Sequence, residues 1–125
     1  MKKIIIIACI IITGLANNSL KAETFLSRDE VDTAPYFEGF TDRLVYFYPP
    51  IARRAGIEGR VIVDLLVDFT GTVTRVTILR EEPEGWHFGE AALHVFTGLQ
   101  GIPATVNGEP VSCILRVPVD FRIRR

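Results

Sequence analysis

His87, Glu90 and His94 stand at i, i+3 and i+7, a spacing that puts three side chains on one face of a helix. Two imidazoles and a carboxylate are zinc-type donors. A structural zinc wants a fourth ligand, and the HExxH spacing of a catalytic zinc is absent, so a wet helix face is the better reading. Glu81, Glu82 and Glu84 crowd a Pro- and Gly-containing turn and read as a solvated acidic loop. Ser112 has no nucleophile-elbow sequence around it and only distant histidines as candidate bases. No Gly-rich phosphate loop is present. Trp86, beside the turn, reads as a partly buried anchor. The expectation is a protein with no catalytic residues, no metal, no cofactor and no small-molecule substrate.

Charge and compartment narrow the choice further. Lys2 and Lys3 precede an apolar or small run from Ile4 to Ala16, and Leu20-Lys21-Ala22 then ends on a small residue. That order is a secretory signal, expected to be cleaved after about Ala22. The run is short of the roughly 20 apolar residues that a membrane-spanning helix needs. Cys9 lies inside the run, where a lipidated cysteine would follow it. The localisation expected is periplasmic, with an uncleaved N-terminus anchored in the inner membrane as the alternative. From Glu23 onward there are eleven Arg and no Lys against fifteen acidic residues, a net charge of −4. Nucleic acid is not expected as a partner, because it calls for a clustered basic face. Cys113 is the one cysteine of that region and cannot form an internal disulfide, so a core must hold the domain.

The chain divides into a signal over 1–22, an extended lead-in over 23–45 and a folded domain over 46–125. The lead-in has weak periodicity, with a short helix near Thr41 to Phe47. Tyr48-Pro49-Pro50 opens the next helix, since proline suits a first turn, and Gly56 caps its end. Val61, Val63, Leu65, Val67 and Phe69 alternate with Arg60, Asp64 and Asp68, the period of a half-buried strand. Thr70-Gly71 turns the chain into a second strand, Thr72 to Arg80, where Val73 is out of phase with Val76 and Ile78 and implies a bulge. Phe88, Ala91, Ala92, Val95 and Leu99 recur at helical spacing and predict a helix over Trp86 to Leu99. Asn107-Gly108 marks a turn in the loop after it.

The last segment, Val111 to Ile123, carries an apolar residue at every odd position. It also contains Pro118. A proline cannot donate to a ladder, so a strand holding one belongs at a sheet edge, with that nitrogen facing outward. Same-parity residues point their backbone groups the same way. The N–H and C=O groups of Ile114, Arg116, Asp120 and Arg122 are then expected on the free side. Such an edge is either protected from pairing or used for it.

Tyr48-Pro49, Ala55-Gly56-Ile57-Glu58-Gly59, Asp68 with Gly71, Asn107-Gly108 with Pro110-Val111, and Val117-Pro118-Val119 with Phe121 together resemble the TonB C-terminal domain. The resemblance runs over roughly Pro35 to Ile123. It implies an α+β fold, a three-stranded antiparallel sheet with two helices on one face. It also implies a partner: the N-terminal peptide of an outer-membrane TonB-dependent transporter, added as a strand beside the last one. On this chain that carries over to Ser112, Ile114, Arg116, Pro118, Asp120 and Arg122, with Tyr48 and Pro49 as an additional contact region. A homodimer through the same edge, giving an envelope scaffold, is the alternative. Full family members have a membrane helix and a long Pro-rich arm. The segment before Tyr48 spans at most about 80–90 Å at ~3.3–3.6 Å per residue, so energy transduction by this chain alone is not expected.

Overall fold

A computed structural model describes residues 24–123; the expected signal segment and Cys9 lie outside the described residues. The order is β1 (Leu26–Ser27), a 3-10 turn (Arg28–Glu30), α1 (Phe40–Tyr46), α2 (Pro50–Ala55), β2 (Gly59–Val67), β3 (Val73–Glu82), α3 (Phe88–Phe96), β4 (Ala104–Val106), β5 (Glu109–Val111) and β6 (Cys113–Phe121). The main sheet runs β1-β6-β2-β3, and β4-β5 forms a separate hairpin. The three long strands are antiparallel, as expected. The fourth strand is a correction: two residues of the lead-in pair with the start of β6 in parallel. Among the described residues, no helix is long and apolar enough to cross a membrane.

The alternation of β2 does what its period requires. Val61, Val63, Leu65 and Val67 are fully buried on one face, contributing about 1.5–3 kcal/mol each. The register against β3 slips between Leu66 and Val67, the bulge that the phase of Val73 implies. Phe69 does not join the buried row; the strand ends at Val67 and Phe69 sits exposed in the turn. Asp68 builds that turn. Its carboxylate accepts from the Thr70 N–H at 2.9 Å and the Thr72 N–H at 3.1 Å, and Gly71 takes a φ of 90°.

All three described helices cover that one face; the short helix read from the sequence near Thr41 to Phe47 joins the two that the resemblance implies. α2 starts with Pro50 and closes on Gly56 at φ 74°. α3 buries Phe88, Ala91, Ala92, Val95 and Phe96. It is shorter than its periodicity suggests, because Thr97 turns extended and Gly98 left-handed. Leu99 is nevertheless buried, held by the reversal that brings its carbonyl to the Val73 N–H at 2.9 Å. α1 packs on α3 through Phe40 and Phe96, ring centroids 5.2 Å apart. Arg43 of α1 donates to the Val95 and His94 carbonyls at 2.7 and 2.9 Å, satisfying acceptors at the end of α3.

The lead-in is a strap. Leu26 and Val31 are buried with Ala104, Val106 and Cys113 in a second apolar cluster. The Asp32 N–H meets the Thr105 carbonyl at 2.8 Å, and Tyr36 and Ile102 exchange backbone bonds at 3.0 and 2.8 Å. The expected strand over Val111 to Ile123 also divides. Val111 pairs with Ala104 in the hairpin, and Ser112 separates it from β6.

Candidate functional site

The outer side of β6 is the candidate site, and three observations fix its orientation. Pro118, which has no N–H, stands opposite Ile62 of β2. The Leu26 N–H reaches the Ser112 carbonyl at 3.0 Å from the β1 side. The Ile123 N–H instead reaches Glu58 Oε2 at 2.8 Å, on the β2 side. Even-numbered residues of β6 therefore aim their backbone groups outward, and odd-numbered ones aim inward. β1 stands beside Cys113 and Ile114 only. From Leu115 to Phe121, no described strand pairs with the outer side of β6. The groups it presents are the N–H and C=O of Arg116 and Asp120 and the C=O of Pro118, with exposed Arg122 just beyond.

The solvent face of the sheet along this edge is closely paired. Arg116 grips Asp64 with two bonds, Nε to Oδ1 at 2.8 Å and Nη2 to Oδ2 at 3.0 Å. Arg60 grips Asp120 the same way, at 2.7 and 3.1 Å. These pairs lie directly across strands, on either side of the Ile62–Pro118 pair. The Arg116 bonds hold the Asp64 carboxyl below its ordinary range, and the Arg60 bonds do the same for Asp120, helped by Arg122. The edge is thus close to neutral, and its hydrogen-bonding capacity belongs to the main chain.

The other residues singled out by sequence fall elsewhere. Ser112 is buried, outside β6, and its carbonyl is already taken by Leu26; it does not belong to the open edge. Ile114 lies beside Ser27, which covers the start of the edge. Tyr48 and Pro49 are buried. The Tyr48 ring stands edge-on to Phe88 and Phe121, its hydroxyl donates to the Ile57 carbonyl at 2.5 Å, and the Arg53 guanidinium lies 4.7 Å over its face. Burial, with Glu58 nearby, pushes its hydroxyl up in spite of Arg53. The exposed aromatic here is Tyr46, 79% accessible, with Ile51 also exposed. Sequence reasoning passed over Tyr46, for which the Tyr46-Phe47-Tyr48 run was the available signal, and set Ile51 with Ala52 on the apolar side of its helix, where only Ala52 is buried.

His87 Nδ1 stands 3.2 Å from Glu90 Oε1 on the surface, and His94 stacks on Phe47 at 5.7 Å. Among the described residues, no three His, Cys, Asp or Glu side chains gather closely enough to hold a metal. Cys113 is fully buried, and burial pushes its thiol up against a counter-effect from Arg28.

Comparisons with known proteins follow the same outline. Residues 46–123 match the family model described as Gram-negative bacterial TonB protein C-terminal. Protein TonB of Xanthomonas campestris pv. campestris strain B100 is 36% identical over 76 residues, 61% of this chain and 34% of the relative. Protein TonB of strain ATCC 33913 gives the same figures. The chain thus spans about a third of the length of these curated relatives. The solution structure of the Pseudomonas aeruginosa TonB C-terminal domain superposes with a TM-score of 0.55 at 21% identity, covering 79% of this chain and 94% of that one. The Vibrio anguillarum TonB2 protein gives 0.50 at 25% identity, over 62% of this chain and 74% of that one.

Proposed function

This chain belongs to the family of Gram-negative TonB C-terminal domains, and from that membership we propose that it is a periplasmic protein-binding module serving transmembrane transport. It recognises the extended N-terminal peptide of an outer-membrane TonB-dependent transporter by adding it as a strand beside β6. The signal over residues 1–22 delivers it to the periplasm and is removed. The observation that carries this reading is the side of β6 from Leu115 to Phe121 that faces no described strand, with outward main-chain groups and side chains already paired among themselves. A net hydrogen bond contributes about 0.5–1.5 kcal/mol, so a few of them give weak, reversible capture suited to a transport accessory.

The test separates main chain from side chain. Arg116→Pro deletes one outward N–H, while Arg116→Ala keeps it and loses only the grip on Asp64. Calorimetric titration with synthetic transporter N-terminal peptides should show the proline variant binding about 3–10-fold more weakly than the alanine variant. Equal affinities would contradict strand addition at this edge. Self-association is the second reading, favoured by the presence of another outer strand, β3. Sedimentation over a range of concentrations distinguishes it, because a tight dimer at all concentrations supports the scaffold reading.

A further inference from the structure

We propose that the N-terminal strap sets where a visiting strand must stop, and thereby how long a peptide the edge can read. This rests on the strand-addition reading above. β6 would offer its whole outer side if nothing else paired with it. Instead β1 occupies its first two residues, with Leu26 against Cys113 and Ser27 against Ile114. The Leu26 N–H has already taken the Ser112 carbonyl, and the 3-10 turn Arg28–Glu30 also packs against β6.

The strap is built to stay in place. Leu26 is 2% exposed and Val31 4%, both seated on the β4–β5 hairpin and Cys113. The Ser27 N–H donates to Glu30 Oε1 at 2.9 Å, closing the turn that carries the chain away from the edge. Further along, Asp32 accepts from the Asn107 N–H at 2.7 Å, and the Thr33 and Thr105 hydroxyls bond to each other. A visitor that displaced β1 would have to uncover this second apolar cluster as well. The cheaper course is to lie end to end with β1, on the stretch that begins at Leu115.

The other limit is set by the end of the strand. β6 finishes at Phe121, and the Ile123 N–H turns back to Glu58. Between the limits there is room for about seven residues of extended chain at ~3.3 Å each. Within that window Pro118 supplies an acceptor and no donor, so the visitor must find its bonds chiefly at Arg116 and Asp120. The strap thus turns an open edge into a slot of defined length and fixed start.

A length series tests this on the full chain. Synthetic transporter N-terminal peptides of about four, seven and eleven residues, nested around one centre, are titrated by calorimetry. Affinity should rise about tenfold from the shortest to the middle peptide and change less than about twofold beyond it. Leu26→Pro removes the donor that ties β1 to Ser112; in that variant the longest peptide should gain at least about threefold over the middle one. If that variant fails to fold, the series on the unaltered chain still decides. An affinity that keeps climbing more than about threefold from seven to eleven residues in the unaltered chain overturns the slot and leaves strand addition standing. Equal binding by Arg116→Pro and Arg116→Ala, or no binding at any length, removes strand addition and the slot with it.

Discussion

Tyr48, which the family resemblance puts in a contact region, holds the fold. Its ring fills the junction of α2, α3 and β6, and its hydroxyl satisfies the Ile57 carbonyl. Tyr48→Phe should keep the packing and lose that bond, lowering stability by about 1 kcal/mol in a denaturant titration. Peptide affinity should not change. Three carboxylates give the fold its pH response. Asp64 and Asp120 are lowered by their arginine bonds. Asp68 is lowered too: burial opposes ionisation there, and the Thr70, Thr72 and Gly71 bonds outweigh it. A carboxyl with a lowered folded pKa contributes stability above its unfolded pKa, about 4, and loses it as pH falls through the folded value. The denaturation midpoint should therefore fall as pH drops below about 4. Added salt should shrink the arginine share and spare that of Asp68. A midpoint unchanged down to about pH 2.5 would contradict this.

On the strand-addition proposal, Pro118 limits what can pair with β6. Its ring leaves one outward donor missing at the middle of the open stretch. Pro118→Val restores that N–H without touching the β2 ladder. It should raise self-association measurably in sedimentation and strengthen peptide binding by about 2–10-fold. The proline marked the stretch of β6 that no described strand joins, but the expected edge strand is second in the sheet, because β1 stands beyond its first two residues; alternation made the buried faces of β2 and β6 legible. β1 was not legible, because Leu26-Ser27 has no period of its own and its partner arrives far later in the chain. The break at Ser112 was hidden for a related reason. Alternation continues unbroken from Val111 to Cys113, yet Val111 pairs with β4 and Cys113 with β2. Period reports which face a residue takes and says nothing of which strand it joins. The burial of Tyr48 was equally invisible, since it depends on Phe88 and Phe121 arriving from distant segments.

Over the described residues the molecule is a sheet with one face covered by helices, one face laced by arginine–aspartate pairs, and a stretch of β6 from Leu115 to Phe121 whose outer side no described strand joins. The strap and the hairpin close the near end of that stretch, and the far end runs out at Phe121. Under the strand-addition proposal, this edge recognises backbone in preference to charge. Peptide affinity should accordingly depend little on ionic strength, and more on the peptide's readiness to lie extended. The most direct measurement is amide hydrogen exchange, read residue by residue with and without saturating transporter peptide. Arg116 and Asp120 should exchange quickly in the free protein and slow by at least about tenfold on binding, while Val117 and Val119, already in the β2 ladder, hold steady. Protection that appears in α2 and α3 and leaves Arg116 and Asp120 unchanged would contradict the account.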